Sequence, residues 1–303
     1  MAPLPRRLRR AALVPAGALL RIASRPVGGG TGMTRAALGP LVGRPDAGGS
    51  VVMVTGASSG IGEAAARRLA AEGATVLLVA RGAEALDRIA SEIGASGAGE
   101  ARPHPCDLTD LEAIDDLCER ALAEHGAVDV LVNNAGRSIR RSVDRSGDRF
   151  HDFQRTMQLN YFGAIRLILG LLPAMRERGQ GQVVNVSSAG VQIRTPRFSG
   201  YIASKAALEA FSDAVQAETR EDGIRFTTIS MPLVRTPMIS PTRQYERIPA
   251  LTPEEAGRLV VDAVSGRPRR VAPPFAHVLA AVDRVSPEAM DVVRSRVYRM
   301  FGE

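Results

Sequence analysis

Residues 51–62 read VVMVTGASSGIG, from Val51 through Thr55 and Gly56 to Gly62. Val51-Val52-Met53-Val54 is a short apolar, mostly β-branched run, the pattern of a strand buried on both faces. Glycines at 56, 60 and 62 predict a tight turn, and the run from about Glu63 to Glu72 predicts a helix. Strand, glycine turn and helix together describe a dinucleotide site. Glycines let the backbone approach a pyrophosphate, and the phosphates sit at the helix N-terminus. The spacing is G-x-x-x-G-x-G, not the more familiar G-x-G-x-x-G. Gly56, Ser58, Ser59, Gly60, Ile61 and Gly62 are the candidate contacts.

Working outward, strands alternate with helices, which predicts an α/β fold. It is a doubly wound Rossmann-type parallel sheet of about seven strands, with helices on both faces, in a single domain over 51–272. Strands are expected at Thr75–Ala80, before Cys106-Asp107-Leu108, at Val128–Val132, at Val183–Val186, at Ile224–Ser230 and around Arg270-Val271. Helices are expected over 83–93, 110–124, 149–178, 200–222 and 253–265. Arg81 follows the second strand where an acid would bind a free ribose 2′-hydroxyl; a cation there suits the 2′-phosphate of NADP. Asp107, beside Leu108, is placed either to accept a hydrogen bond from adenine or, with Thr109, to cap the next helix. Asn133-Asn134-Ala135-Gly136 ends the fourth strand with small and amide residues, where a cofactor can approach.

The stretch Ser187–Lys205, SSAGVQIRTPRFSGYIASK, carries the chemistry. Tyr201 and Lys205 are four apart on one predicted helix and so share a face. A free tyrosine, with a pKa of about 10, is a poor acid at neutral pH, and a nearby ammonium is expected to bring it down. Ser188 offers a hydroxyl to hold the oxygen that the tyrosine protonates. Lys205 is the sole lysine among 39 basic residues. It stands at the one place where a compact, deprotonatable ammonium differs in kind from a guanidinium.

Bulk properties narrow the classes. The net charge of +7 is concentrated in residues 1–50, where eight arginines face only Asp46, so residues 51–303 sum to zero. That excludes a body built to track nucleic acid. Residues 1–50 form a basic, Gly/Pro-rich extension that reads as disordered, as a peripheral membrane anchor or as a cleaved segment. Two cysteines, Cys106 and Cys118, give neither a metal spacing nor a disulfide framework, which suits a reducing cytoplasm; no metal site is expected. No run reaches the ~20 apolar residues needed to span a bilayer. Residues 237–251, rich in proline, read as a lid. Residues 273–303 read as an amphipathic helical extension with apolar candidates Phe275, Val278, Leu279, Val282, Val293, Val297 and Phe301.

TGASSGIG at 55–62, NNAG at 133–136, Asn160, Ser188 and Tyr201-x-x-x-Lys205 together resemble the short-chain dehydrogenase/reductase family over about 51–272. The resemblance implies an NADP(H)-dependent oxidoreductase. Tyr201 would be the general acid, Lys205 a ribose ligand that depresses the tyrosine, Ser188 the orienter of the substrate oxygen and Asn160 the holder of a relay water. The backbone around Gly56, Ser59, Ile61 and Asn133, with Arg81 and Asp107, would hold NADP, and Ala135, Gly136, Leu108, Pro232, Val234, Thr236, Tyr201 and Lys205 would join it. Pro232-Leu233 departs from the family's usual Pro-Gly. Longer stretches, NNAGRSIRR (133–141), DRFHDFQRTMQLNYFGA (148–164), PRFSGYIASKAALEAFS (196–212), MPLVRTPMISPT (231–242) and LTPEEAGRLVVDAVSGRPRRVA (251–272), resemble bacterial aldehyde-forming fatty acyl-CoA reductases. That likeness implies an acyl-CoA substrate, with Arg137, Arg140 and Arg141 facing its phosphates or simply solvated. The apolar C-terminal helices would meet the acyl chain, a membrane surface or another subunit. A homodimer or tetramer is implied by the family. A ketone, aldehyde or secondary-alcohol oxidoreductase, or a non-catalytic NADP-binding scaffold, would share the same fold.

Overall fold

The computed structural model describes residues 47–300 except 98, 241–244, 246 and 247; most of the basic N-terminal extension, part of the proline-rich lid and Phe301 lie outside the described residues. Seven parallel strands form one sheet in the order β3-β2-β1-β4-β5-β6-β7. They are β1 (Val51–Thr55), β2 (Thr75–Ala80), β3 (Glu100–Pro105), β4 (Val130–Asn133), β5 (Gly181–Ser188), β6 (Ile224–Met231) and β7 (Arg270–Val271). The order reverses between β1 and β4, where a crevice opens at the carboxyl ends of the strands.

Helices α1 (Gly60–Ala71), α2 (Ala83–Ala95) and α3 (Leu111–His125) connect the first four strands. After β4 come α4 (Phe150–Met157), a π-helical turn at Gln158–Gly163 and α5 (Ala164–Glu177). The sequence predicts one long helix here, over 149–178; the backbone instead widens for one turn around Asn160. Then follow α6 (Ala189–Ile193), α7 (Ser199–Thr219), α8 (Pro253–Gly266), α9 (Pro274–Val285) and α10 (Pro287–Met300). Helix α8 opens with a reciprocal capping box, Thr252 with Glu255.

Two apolar layers cover the sheet. Val52, Val54, Leu69, Leu86, Ile89 and Val260 pack on one face, and Met53, Leu77, Ile114, Leu131, Leu167 and Phe226 on the other. Alternation along β1 sends Val52 and Val54 one way and Met53 the other, so a strand that reads as uniformly apolar feeds both layers.

Candidate active site

The crevice at the carboxyl ends of the strands is about 1040 Å³, at the upper end of small-molecule sites. Its first wall is the β1–α1 turn. Gly56 and Gly60 have φ of +66° and +58°, a region that costs an ordinary residue energy. A Cβ on Gly62 would stand 2.2 Å from the Gly56 carbonyl, so this glycine lets α1 close against the turn and faces away from the crevice. A Cβ on Gly60 would meet the Thr236 methyl at 3.0 Å. Ser59 makes no side-chain cap to α1, so the first N–H groups of the helix keep their donors for a ligand. This cradle, which a single added carbon would fill, fits a dinucleotide pyrophosphate.

The β4 loop is fastened to that turn. The Thr55 hydroxyl donates to the Val132 carbonyl and accepts from the Asn134 and Ala135 N–H groups at 2.9 and 3.0 Å, while the Asn134 amide donates to the Thr55 carbonyl. Asn134, Ala135 and Gly136 line the crevice, with Arg81, Asp107, Leu108, Pro232, Val234 and Thr236. The side chain of Asn133, whose backbone is expected to meet the cofactor, is turned away from the crevice. As the last residue of β4 it points into the core, 3% exposed, and donates to Asn185. Asp107 is held below its ordinary carboxylate range by the Thr109 N–H, with the Thr109 hydroxyl, Arg81 and Arg137 adding to this. The cap of α3 is Asp110, which accepts from Glu112 and Ala113, so Asp107 shapes the turn and leaves the helix to its neighbour.

Across the crevice, Ser188 ends β5 and Tyr201 and Lys205 descend one face of α7. The Ser188 hydroxyl bonds the Tyr201 phenol and accepts from the Gly190 N–H at 3.0 Å. Lys205 is 3% exposed, and its Nζ donates to the Val186 carbonyl at 2.9 Å. A Cβ on Gly136 would lie 3.4 Å from that Nζ and 3.3 Å from Asn160 Oδ1, which puts β4's loop between ammonium and amide.

The electrostatics differ from expectation. Tyr201 is raised, not lowered: burial dominates, and the Ser188 hydrogen bond offsets only part of it. Burial likewise pushes Lys205 down to about 8, against the pull of Glu209. The ammonium is turned to the Val186 carbonyl, and it is not among the groups that shift the phenol. Glu209, absent from the expected site, lies four residues past Lys205 and is buried. It accepts from Ser187 and from Arg270 at 3.3 Å. Its signal was the same i, i+4 spacing that joins Tyr201 to Lys205.

Asn160 is bonded through both ends of its amide. Its Oδ1 accepts from the Arg137 N–H at 2.7 Å, and its amide donates to the Arg137 carbonyl and to Ser204. The side chain thus pins the β4 loop to α7. Of the basic loop, Arg137 and Arg140 line the crevice, while Arg141 is tied to Asp152 at 3.1 Å. The substrate-side wall is apolar: Ile139, Ile193, Phe198, Ile202, Leu233 and Phe275. Buried Asp283 of α9 pairs with Arg194 and Arg294, and Arg197 donates to the Tyr298 carbonyl and lies 4.1 Å over its ring. Among the described residues no helix is long and apolar enough to cross a membrane.

A parallel seven-stranded sheet with a glycine cradle at its switch point and a Ser-Tyr-Lys cluster opposite defines a nucleotide-dependent oxidoreductase. The chain belongs to the short-chain dehydrogenase family, whose model matches residues 50–247. It is 55% identical over 257 residues to an uncharacterized oxidoreductase of Mycobacterium bovis, covering 84% of this chain and 75% of that one. It is 51% identical over 253 residues to a fatty acyl-CoA reductase of Acinetobacter baylyi, covering 84% and 85%. A metagenomic short-chain oxidoreductase in complex with NADP superposes with a TM-score of 0.64 at 30% identity, covering 75% of this chain and 97% of that one.

Proposed function

We propose that this protein reduces long-chain acyl-CoA to the fatty aldehyde, using NADPH. The observation that carries the reading is the 51% identity to the Acinetobacter baylyi fatty acyl-CoA reductase over nearly all of both catalytic regions. The apolar wall from Ile139 to Phe275, with Arg137 and Arg140 at its edge, supports a substrate that is apolar at one end and anionic at the other. Arg81, exposed beside the glycine turn, supports the 2′-phosphorylated cofactor.

When bound, a reduced nicotinamide supplies the hydride. Ser188 and Tyr201 hold the thioester oxygen, and the Tyr201 hydroxyl gives it a proton. The raised Tyr201 pKa keeps the phenol protonated at neutral pH, as a donor must be. Lys205 presents its cation beneath the tyrosine, with Glu209 holding it charged despite burial. Asn160 acts as a positioning residue through the Arg137 backbone. The resulting hemithioacetal collapses to aldehyde and free CoA, so no cysteine nucleophile is required. Burial pushes the Cys106 and Cys118 thiols up to about 11 and about 12, which leaves neither one nucleophilic.

The test is purified protein with palmitoyl-CoA and either NADPH or NADH, following nicotinamide absorbance and released thiol together. One thiol per cofactor oxidised, faster with NADPH, is expected. Cofactor oxidation without thiol release would replace the acyl-CoA reading with ordinary ketone or aldehyde reduction.

A further inference from the structure

Away from the crevice, three side chains that the oxidoreductase chemistry does not use converge. His104 stands near the end of edge strand β3, and Glu124 and His125 are the last two residues of α3. Their ligand atoms all lie within 4.8 Å of one another, and Glu124 Oε2 is 3.8 Å from His125 Nε2. His104 is 7% exposed and its Nε2 is buried without a hydrogen-bond partner. The Nε2 of His125 is also buried and also unpartnered.

Two buried, unsatisfied imidazole nitrogens beside a carboxylate are costly as they stand, because each gave up water and gained nothing. In the tautomers protonated on Nδ1, both Nε2 atoms and the carboxylate are acceptors, and a single water can donate to only two of the three. A divalent cation satisfies all three at once. We propose that His104, His125 and Glu124 form a binding site for a divalent transition metal, zinc by preference. Imidazole nitrogen and carboxylate oxygen are the donors zinc takes, at about 2.0–2.2 Å, with a tetrahedral arrangement. Three protein ligands leave the fourth position to solvent. Glu124 is exposed on a helix end and His125 is half-buried, so both can swing in; His104, fixed in the sheet, is the anchor. Occupancy would tie the edge strand to α3 just before Cys106, Asp107 and Leu108 turn into the crevice.

The experiment uses the full chain, stripped with chelator and titrated with zinc against a fluorescent zinc indicator. Cobalt is then substituted to read the coordination spectrum. One zinc per chain is expected, with His125→Gln and Glu124→Gln each weakening it at least tenfold while circular dichroism stays unchanged. Cobalt should give the visible absorption of a four-coordinate site in the parent and lose it in His125→Gln. Both substitutions lie at an accessible helix end, so the fold survives them. No saturable zinc binding, or binding that His125→Gln leaves intact, would overturn the proposal.

Discussion

Lys205 sits buried against the Val186 carbonyl, with Glu209 the charge that opposes its burial, and its own charge is therefore conditional. Burial lowers its pKa to about 8, so the group changes charge just above neutrality, whereas burial pushes Tyr201 above its ordinary value and the two thiols up to about 11 and about 12. The pH profile of kcat/KM reports ionisations of the free enzyme. It should be level below pH 8 and fall above it, as the ammonium loses its proton. Glu209 is what raises Lys205 against burial, so Glu209→Gln should shift that descent to lower pH with little change in nucleotide affinity. An unmoved descent would detach Glu209 from the site. The Tyr201–Lys205 pair was legible because helical spacing puts residues four apart on one face. The direction of the tyrosine shift was not legible. It depends on how deeply the crevice buries the phenol and on which way the ammonium turns, and neither is a property of spacing.

At the scale of elements, the β1–α1 turn and the β4 loop behave as one piece, joined through Thr55 and Asn134. Gly62→Ala would drive a carbon to 2.2 Å from the Gly56 carbonyl oxygen and 2.6 Å from the Asn134 amide, which is itself held by its bond to the Thr55 carbonyl. Overpacking of this kind costs about 1–3 kcal/mol. The variant should melt several degrees lower and bind NADPH at least tenfold more weakly by fluorescence titration. Wild-type affinity would show that the turn tolerates the shift. Strand positions and the glycine turn were readable from apolar runs and punctuation. Two features were not. The π-turn around Asn160 leaves no trace in apolar periodicity, since Leu159, Tyr161 and Ile165 pack on the core much as an α-helix would place them. The inward turn of Asn133 follows from where β4 ends, a single-residue boundary that sequence resolves poorly.

For the whole molecule, the C-terminal extension is part of the substrate wall. Phe275 reaches the crevice, and the Asp283 and Tyr298 contacts hold the segment 189–198 that leads into α7. Val278, Val282 and Val285 remain exposed on α9, while Phe275, Leu279, Val293 and Val297 are half-buried, so only part of this apolar set is free. Truncation after Ala272 should leave nucleotide binding within about twofold of the full chain. It should raise KM for the acyl substrate at least tenfold. Unchanged KM would mean that α9 and α10 serve elsewhere.

Because the chain has a single lysine and buries it, reagents that acylate amines find one internal target and the α-amino group. Acylation that silences the enzyme must have entered the crevice, so its rate would gauge how often the crevice stands open. A bound nucleotide should slow that rate in proportion to occupancy, which gives a clock for opening that needs no engineered label.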